Sequence, residues 1–268
     1  MKLIKPISFF AVFVAASFFY SLSLPNQDFL NQTLYLLFPI IATAAGFSLA
    51  KTYGSGNANG KIILIITTGF FMWSMGEIIW YIMRNFMGIN PFPSVADFFF
   101  LLAYPIIFLG LYESFKLYSV EFGKINKALI FLNSIIALLL ILAVLYFGIY
   151  GAYNAEASLV NNILAMGYGV ADIVLVVASL FSLSLAYEYK GGRLGFFWMT
   201  LTLGFVMFLI ADILFAMYNG LYIENIKPYV YIDLIWLAGY FLFIYGLMDT
   251  YSHLKEVELR IKKRMGLM

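Results

Sequence analysis

The sequence predicts an all-α, polytopic integral membrane protein with eight transmembrane helices in two tandem four-helix halves. Three observations predict this fold: the composition of the chain, the spacing of its apolar segments and an internal repeat. The chain has 268 residues, of which 63% are hydrophobic and 11% are charged, and its mean hydropathy is +0.92. A soluble domain typically carries about 25% charged residues, so the composition excludes a soluble fold.

Eight apolar segments each approach the ~20 residues that a helix needs to cross a bilayer. Because the hydrocarbon core offers no water to the backbone, each segment is predicted to be an α-helix. The first segment follows Lys2 and Lys5 as a signal peptide would. Whether this segment is cleaved stays open, but the apolar stretch of the segment is longer than the ~7–15 residues of a signal-peptide core. The approximate spans are 4–24, 29–50, 61–87, 95–118, 127–150, 160–188, 194–219 and 229–250.

The region 69–112 contains a pattern that returns at 204–248. Gly69 and Glu77 correspond to Gly204 and Asp212 with an offset of 135 residues. Matching acids at two depths favour duplication over a chance likeness between apolar helices. Repeats commonly build membrane bundles with a binding site between the halves. The pairs with an offset of 136 residues include Asp97 with Asp233, Tyr104 with Tyr240, Gly110 with Gly246 and Leu111 with Leu247.

The repeat also defines the predicted domain organisation. A transmembrane bundle covers 1–250, with repeat halves at about 1–120 and 121–250, and a short basic tail covers 251–268. Four spans per half give both halves the same orientation, related by an axis near the membrane normal. Close packing of helices through small residues is weakly indicated by Gly167-Tyr168-Gly169.

The basic residues indicate which helix ends face the cytoplasm. If the N-terminus is cytoplasmic, 14 of the 16 Lys and Arg residues fall in inner loops or at inner helix ends, and only Arg84 and Lys227 fall toward the outside. Such an asymmetry sets topology, so we expect a multi-pass protein of the cell membrane with both termini in the cytoplasm. The tail is interpreted as a helix extension that touches anionic lipid, or alternatively as a signalling helix.

The residue types that are missing exclude several functions. The chain has no cysteine and a single histidine, His253, which excludes disulfides, thiolate metal sites and clusters of histidine ligands. No lysine lies deep within a span, so a retinal Schiff base is not expected, and no hydrolase or zinc-protease motif is present. The net charge of +2 does not indicate a nucleic-acid partner. We therefore expect neither a cofactor nor catalytic activity.

Five carboxylates lie within predicted spans, away from the cytoplasmic ends. Even the lower insertion scales give ~2.5–3.5 kcal/mol for an Asp at a helix centre, so such a residue is a functional-site hypothesis. With only Arg84 and Lys227 nearby, the acids are expected to face the bundle interior, with at least one protonated or paired with a bound cation. The five are Glu77, Asp97, Asp172, Asp212 and Asp233.

Structural roles are the alternative interpretation of these acids. Ser94 precedes Asp97 by three residues, which resembles a capping box with the acid in the first helical turn. Glu77 and Asp212 have no cap nearby. Their structural interpretation is a protonated carboxyl that is hydrogen-bonded between helices, since burial disfavours the charged form.

Aromatic residues accompany the acids at helical spacing. Trp80 follows Glu77 by three residues, and Trp236 follows Asp233 by three. Aromatic rings beside a carboxylate suit a cation or an amphipathic ring-bearing ligand. The alternative is packing and interfacial belts, because 19% of the chain is aromatic. The candidate ligand-binding residues are Glu77, Trp80, Asp97, Asp172, Asp212, Asp233, Trp236 and Tyr240.

A family resemblance rests on the same stretch of the chain. Gly76-Glu77-x-x-Trp80, then Pro91-x-Pro93-Ser94-x-Ala96-Asp97, then Ala103-Tyr104-Pro105 with Gly110-Leu111 resemble the multi-helix membrane sensor region found ahead of diguanylate cyclases and histidine kinases in prokaryotes. The resemblance implies an input module of seven to eight helices. The sequence departs from that architecture because no cyclase, kinase or PAS-like domain follows the last span, so any signal is expected to pass through a partner.

Two functions from different classes follow. The first is a non-enzymatic membrane sensor or ligand-binding module with an acidic and aromatic pocket open to the outside. The second is a proton- or cation-coupled transporter that uses the same carboxylates as relay sites. A lipid-acting membrane enzyme is a weaker alternative, since no nucleophile–base pair is present. The expected partners are the lipid bilayer, a small-molecule or cation ligand and a cytoplasmic signalling protein.

Overall fold

Every regular element that the structure describes is a helix. The computed structural model describes residues 28–54, 56–118, 127–188, 192–224, 226 and 231–266. Within these ranges, seven helices are long and apolar enough to cross a membrane. The chain is therefore an all-α, multi-pass membrane protein. The predicted first span, 4–24, lies outside the described residues.

The described helices occupy the seven remaining predicted spans. The last helix was predicted to end near residue 250, but it continues to Arg264, which agrees with the interpretation of the tail as a helix extension. Two helices end in a π-helical segment. The elements are α1 Asp28–Tyr53, α2 Ala58–Ile82 with the π-helical Met83–Met87, α3 Val95–Tyr118, α4 Lys127–Ala143 with the π-helical Val144–Tyr150, α5 Leu159–Glu188, α6 Gly192–Ile223 and α7 Ile232–Arg264.

Local polar chemistry defines the connection from α2 to α3. Gly88 ends the π-helical segment with φ 62, a left-handed conformation that glycine adopts without steric cost. The backbone N–H of Phe92 then donates to the side chain of Asn90 at 3.0 Å. This turn directs the Phe92 ring into the bundle, where it is buried, before Ser94 begins the next helix.

Six of the helices form a closed ring. Going round it, α1 packs on α2, α2 on α3, α3 on α5, α5 on α6, α6 on α7, and α7 back on α1. Helix α4 lies outside this ring against α5 and α6. Its apolar side chains are largely exposed, for example Phe131 at 69% and Leu139 at 60%. Exposed apolar side chains of this kind are suited to contact with lipid.

Aromatic rings fill the centre of the ring of helices. Trp73 of α2 stacks on Phe208 of α6 with centroids 4.7 Å apart. Phe243 of α7 stacks on Phe70 of α2 at 4.8 Å and contacts Phe205 at 5.1 Å. Such pairs contribute about 0.5–1.5 kcal/mol each beyond their buried area. This aromatic layer joins α2, α6 and α7 across the interior.

Glycines allow the closest approaches between helices. A Cβ on Gly69 would overlap the side chain of Ile107 of α3, and a Cβ on Gly204 would overlap the ring of Phe243 of α7. The Gly167-Tyr168-Gly169 motif does not mark a close approach, because a Cβ on Gly167 would meet no atom within 4 Å and one on Gly169 would be in ordinary contact with Val144 at 3.4 Å. The close approaches lie instead at glycines of the repeated pattern and at others such as Gly46.

Candidate functional site

A pocket lies in the bundle interior, toward the end where α2 and α6 finish and α3, α5 and α7 begin. Its volume is about 80 Å³. Since one water needs roughly 10–15 Å³ on this measure, the pocket has room for a few waters or a compact ligand. The described lining residues are Gln32, Tyr35, Trp73, Glu77, Trp80, Phe92, Asp97, Phe100, Tyr104, Tyr168, Phe208, Asp212, Phe215, Tyr222, Trp236 and Tyr240.

The pocket wall has an unusual composition. Of its 16 described residues, 12 are aromatic, three are acidic and one is an amide. No Lys, Arg or His belongs to this described lining. Aromatic rings present a negative face to a cation, so both the rings and the carboxylates create a negative potential in the pocket.

Glu77 lines the pocket, and its carboxylate has few hydrogen-bond partners among the described residues. It lies on α2 and is only partly buried. Among the described residues, the hydroxyl of Tyr35 is the hydrogen-bond donor to this carboxylate, and its distance to Oε1 is a long 3.3 Å. A carboxylate can accept about four hydrogen bonds, so most of the capacity of Glu77 remains for a ligand or for water.

Asp212 and Asp172 form a second acidic centre, on α6 and α5. The indole N–H of Trp236 donates to Asp212 Oδ1 at 2.8 Å. The hydroxyl of Tyr104 lies 3.1 Å from Asp212 Oδ2 and 2.9 Å from Asp172 Oδ1. The two carboxyl groups therefore meet at the same hydroxyl. Asp172 is 1% exposed, and its Oδ2 has no hydrogen-bond partner among the described residues.

Both carboxylate oxygens of Asp97 accept a hydrogen bond. The backbone N–H of Ser94 donates to Oδ2 at 2.6 Å, and the hydroxyl of Tyr168 donates to Oδ1 at 2.6 Å. In return, Ser94 Oγ accepts from the backbone N–H of Ala96 at 3.1 Å. The predicted capping role of Asp97 is therefore confirmed, and the same carboxylate also joins α3 to α5.

Asp233 is buried behind the pocket wall. It is 6% exposed, and the hydroxyl of Tyr222 donates to its Oδ1 at 2.6 Å. Tyr222 itself lines the pocket. The guanidinium of Arg84, one of the two bases expected near the acids, lies 5.8 Å from the centre of the Tyr222 ring. Lys227, the other base expected nearby, lies outside the described residues.

The structure divides the predicted site residues into two groups. Asp172 and Asp233 lie behind the wall, each bonded to a tyrosine that lines the pocket. The sequence did not single out the four tyrosines that donate to the acids. Tyr104 was visible as a repeated position, but its hydroxyl contacts were not. The predicted residues that line the pocket are Glu77, Trp80, Asp97, Asp212, Trp236 and Tyr240.

The single histidine belongs to another part of the bundle. His253 lines a cavity of about 230 Å³ together with Asn59, Tyr118 and Trp198. This cavity lies near the opposite end, where α1 and α3 finish and α2 and α6 begin. The aromatic layer of Trp73, Phe208 and Phe243 lies between the two spaces.

No protein-family model, no curated protein and no solved structure matches the chain. The resemblance to prokaryotic sensor regions therefore rests on its sequence motif alone and stays a prediction. The described helices establish a polytopic membrane protein with seven spans in the described part of the chain.

Proposed function

We propose that the chain is a membrane-embedded ligand-binding module of a sensor, without catalytic activity, and that its pocket binds a compact organic cation. One observation carries this proposal: the described pocket wall consists of aromatic rings, three carboxylates and one amide.

Charge argues for a cationic ligand. Two opposite charges 4 Å apart attract by roughly 4 kcal/mol at the effective dielectric constant of a protein surface, and Glu77 is open to such a contact. A cation over an aromatic face gains about 0.5–2 kcal/mol more, and aromatic cages recognise quaternary ammonium groups in this way. An anion would meet repulsion from the carboxylates and from the ring faces of the described wall.

Size argues for a compact ligand. A pocket of about 80 Å³ suits an alkylammonium group better than an extended ring system. Aromatic walls also replace the hydration shell of an alkylammonium ion at low cost. The described residues contain no cluster of three His, Cys, Asp or Glu side chains that could hold a metal ion.

The topology is part of the proposal. We place both termini in the cytoplasm and the pocket mouth outside, with the span 4–24 as the eighth helix. The basic residues support this: Lys51, Lys61 and Lys116 lie at the helix ends remote from the pocket. Positive charge accumulates on the cytoplasmic side of membrane proteins.

Two tandem halves in one orientation are also proposed. The order of contacts α1–α2–α3 recurs in α5–α6–α7, and the contacts of α3 with α5 and of α7 with α1 correspond as well. Positions separated by the repeat offset of 135 meet at the centre of the ring. Trp73 stacks on Phe208 at 4.7 Å, and Trp80 contacts Phe215 at 6.1 Å. The pocket would then lie on the axis between the halves.

Sensing requires two arrangements of the helices with different affinity for the ligand. Residues from both α1–α3 and α5–α7 line the pocket. A bound ligand would therefore favour one arrangement of these two sets of helices over the other. Helix α7 reaches from the pocket residue Trp236 to Arg264. A change in its position is therefore available to a cytoplasmic partner.

Cation-coupled transport is the second candidate, and one observation favours it. The buried pair Asp172 and Asp212 is of the kind that serves as an ion or proton relay in transporters. Both functions require the cation to bind in the pocket, but only a transporter moves the cation across the membrane. Proteoliposomes loaded with buffer and given labelled choline distinguish them, because only a transporter accumulates the label inside.

The binding step is tested with choline as the probe. Three of the four tryptophans, Trp73, Trp80 and Trp236, line the pocket, so their fluorescence reports on an occupant. The protein in lipid nanodiscs is titrated with choline and, as a matched control, with 3,3-dimethyl-1-butanol, which has the same shape but no charge. A saturable change with choline alone supports the proposal. No change with choline, or equal changes with both compounds, contradicts it.

A further inference from the structure

We propose that Asp172 and Asp212 together hold one proton, and that a cation entering the pocket releases it. This inference rests on the proposed cation-binding function, and it assigns a second ion site, for a proton, to the described part of the bundle. The site involves three residues on three helices: Asp172, Asp212 and Tyr104.

Hydrogen counting supports the shared proton. The hydroxyl of Tyr104 has one hydrogen but lies within reach of both Asp172 Oδ1, at 2.9 Å, and Asp212 Oδ2, at 3.1 Å. Trp236 supplies one more hydrogen, to Asp212 Oδ1. Among the described residues, two hydrogens therefore serve four carboxyl oxygens, and Asp172 Oδ2 receives none. One proton shared by the two carboxyl groups, which meet at the Tyr104 hydroxyl, supplies a third hydrogen.

Charge supports the same conclusion. Two carboxylates that share one site cannot both ionise readily, because each disfavours the charge on the other. For comparison, two like charges 4 Å apart repel by roughly 4 kcal/mol at an effective dielectric constant of 20. Asp172 is 1% exposed, so bulk water does not screen it. One proton between the two groups removes the repulsion.

The groups that face the pair do not compensate a second negative charge. Arg84, the described base closest to the pocket, is engaged over the ring of Tyr222. Among the described residues, the titratable groups close to the pair are acids or tyrosines. They are Glu77 of α2, Tyr104 of α3, Tyr168 of α5 and Tyr240 of α7.

A cation in the pocket changes this balance. Asp212 and Glu77 line the pocket, so a bound ammonium group supplies the missing positive charge beside the pair. The cation then reduces the repulsion between the two carboxylates in place of the proton. The proton is released as the cation binds, so one positive charge enters and one H⁺ leaves. Because the proton and the cation compete, choline affinity should rise with pH until the pair is already ionised in the free protein.

The exchange is measured by titrating choline into nanodiscs by calorimetry in two buffers with different ionisation enthalpies. The difference in heat gives the number of protons released. Up to one proton per bound choline is expected for the unchanged protein, and none for Asp172→Asn, whose amide has no proton to release in this range. As a matched control, Asp249→Asn changes another buried aspartate, which is 7% exposed and does not line the pocket. It should keep the release.

The outcomes separate the two proposals. Failure of choline to bind contradicts the proposed function. Binding without proton release, or equal release from Asp172→Asn, overturns the exchange. The proton itself is tested without any ligand by infrared spectroscopy, because a protonated carboxyl has a C=O band that an ionised one lacks. The unchanged protein should show such a band, and both Asp172→Asn and Asp212→Asn should lose the part of it that comes from the shared proton, so a folding defect in one variant leaves the other informative. No such band in the unchanged protein overturns the inference.

Discussion

At the scale of single residues, tyrosine hydroxyls determine what each buried acid can do. Tyr168 holds Asp97, and Tyr222 holds Asp233, each at 2.6 Å. Hydrogen bonds to a charged group contribute about 1.5–3 kcal/mol, so these two acids are fixed parts of the fold. Glu77 has only one weak contact of this kind among the described residues, with Tyr35 at 3.3 Å. The residues that the sequence grouped as one acidic set therefore have different roles.

This difference predicts opposite effects of two amide substitutions. Glu77→Gln should lower choline affinity roughly ten- to hundredfold, because about 1.5–3 kcal/mol of charged contact is lost and each 1.4 kcal/mol is tenfold. Its thermal stability should change little. Asp97→Asn should mainly lower stability, by about 1–3 kcal/mol, since one amide cannot accept from both Ser94 and Tyr168 in the same way. Tryptophan fluorescence titrations and thermal melts measure the two effects. Equal losses of affinity in both variants would contradict this assignment.

The sequence predicted the acids but not their partners, and the reason is physical. A carboxylate in an apolar span is costly, so it stands out in a sequence. Tyrosine carries no such cost, and the chain has 20 of them. The contact between Tyr168 and Asp97 joins positions 71 apart, and that between Tyr104 and Asp212 joins positions 108 apart. Helical spacing carries no information about contacts at such separations.

At the scale of helices, the sequence predicted length well and packing poorly. The spans 95–118 and 127–150 agree with α3 and with α4 including its π-helical segment, because the apolar stretch alone sets the length of a spanning helix. The position of α4 outside the ring was not predictable in this way. The composition of α4 does carry a signal, because α4 is the most apolar of the seven described spans and the one of the seven described helices without an acidic residue. Close approach at glycines marks contacts of α1, α2, α3, α6 and α7, but α5 joins the ring without such a glycine.

Two glycine-to-alanine substitutions test this account of packing. A Cβ at Gly204 would overlap the ring of Phe243, which is 1% exposed and stacked on Phe70, so the ring cannot move aside. Gly204→Ala should destabilise the protein by about 1–3 kcal/mol through overpacking. Gly167→Ala is the matched control, since a Cβ there meets nothing within 4 Å. It should be neutral or should stabilise by up to about 1 kcal/mol through helix propensity. Unfolding in mixed micelles measures both, and an unchanged Gly204→Ala would refute the packing argument.

At the scale of the whole molecule, the ring places chemistry at one end of the bundle and positive charge at the other. The pocket gathers Glu77, Asp97 and Asp212 near one set of helix ends. The aromatic layer around Trp73 and Phe208 separates this space from the cavity that contains His253. The basic tail extends from the His253 end, in α7. The proposed sensor requires such a separation, with ligand binding at one end of the bundle and signalling at the other.

The orientation of these two ends in the membrane is the last prediction. Positive residues are retained on the cytoplasmic side, and Lys51, Lys61 and Lys116 all lie at the end remote from the pocket.

The chain has no cysteine, so single cysteines can be introduced without background labelling. Gly56→Cys, Ala155→Cys and Met265→Cys place thiols at exposed positions, the second near the pocket end and the other two at the opposite end. A membrane-impermeant thiol reagent added to sealed cells should label Ala155→Cys alone. After permeabilisation it should label all three, whereas the buried control Ala103→Cys should stay unlabelled. Labelling of Gly56→Cys and Met265→Cys in sealed cells, with Ala155→Cys protected, would place the pocket toward the cytoplasm and reverse the proposed direction of sensing.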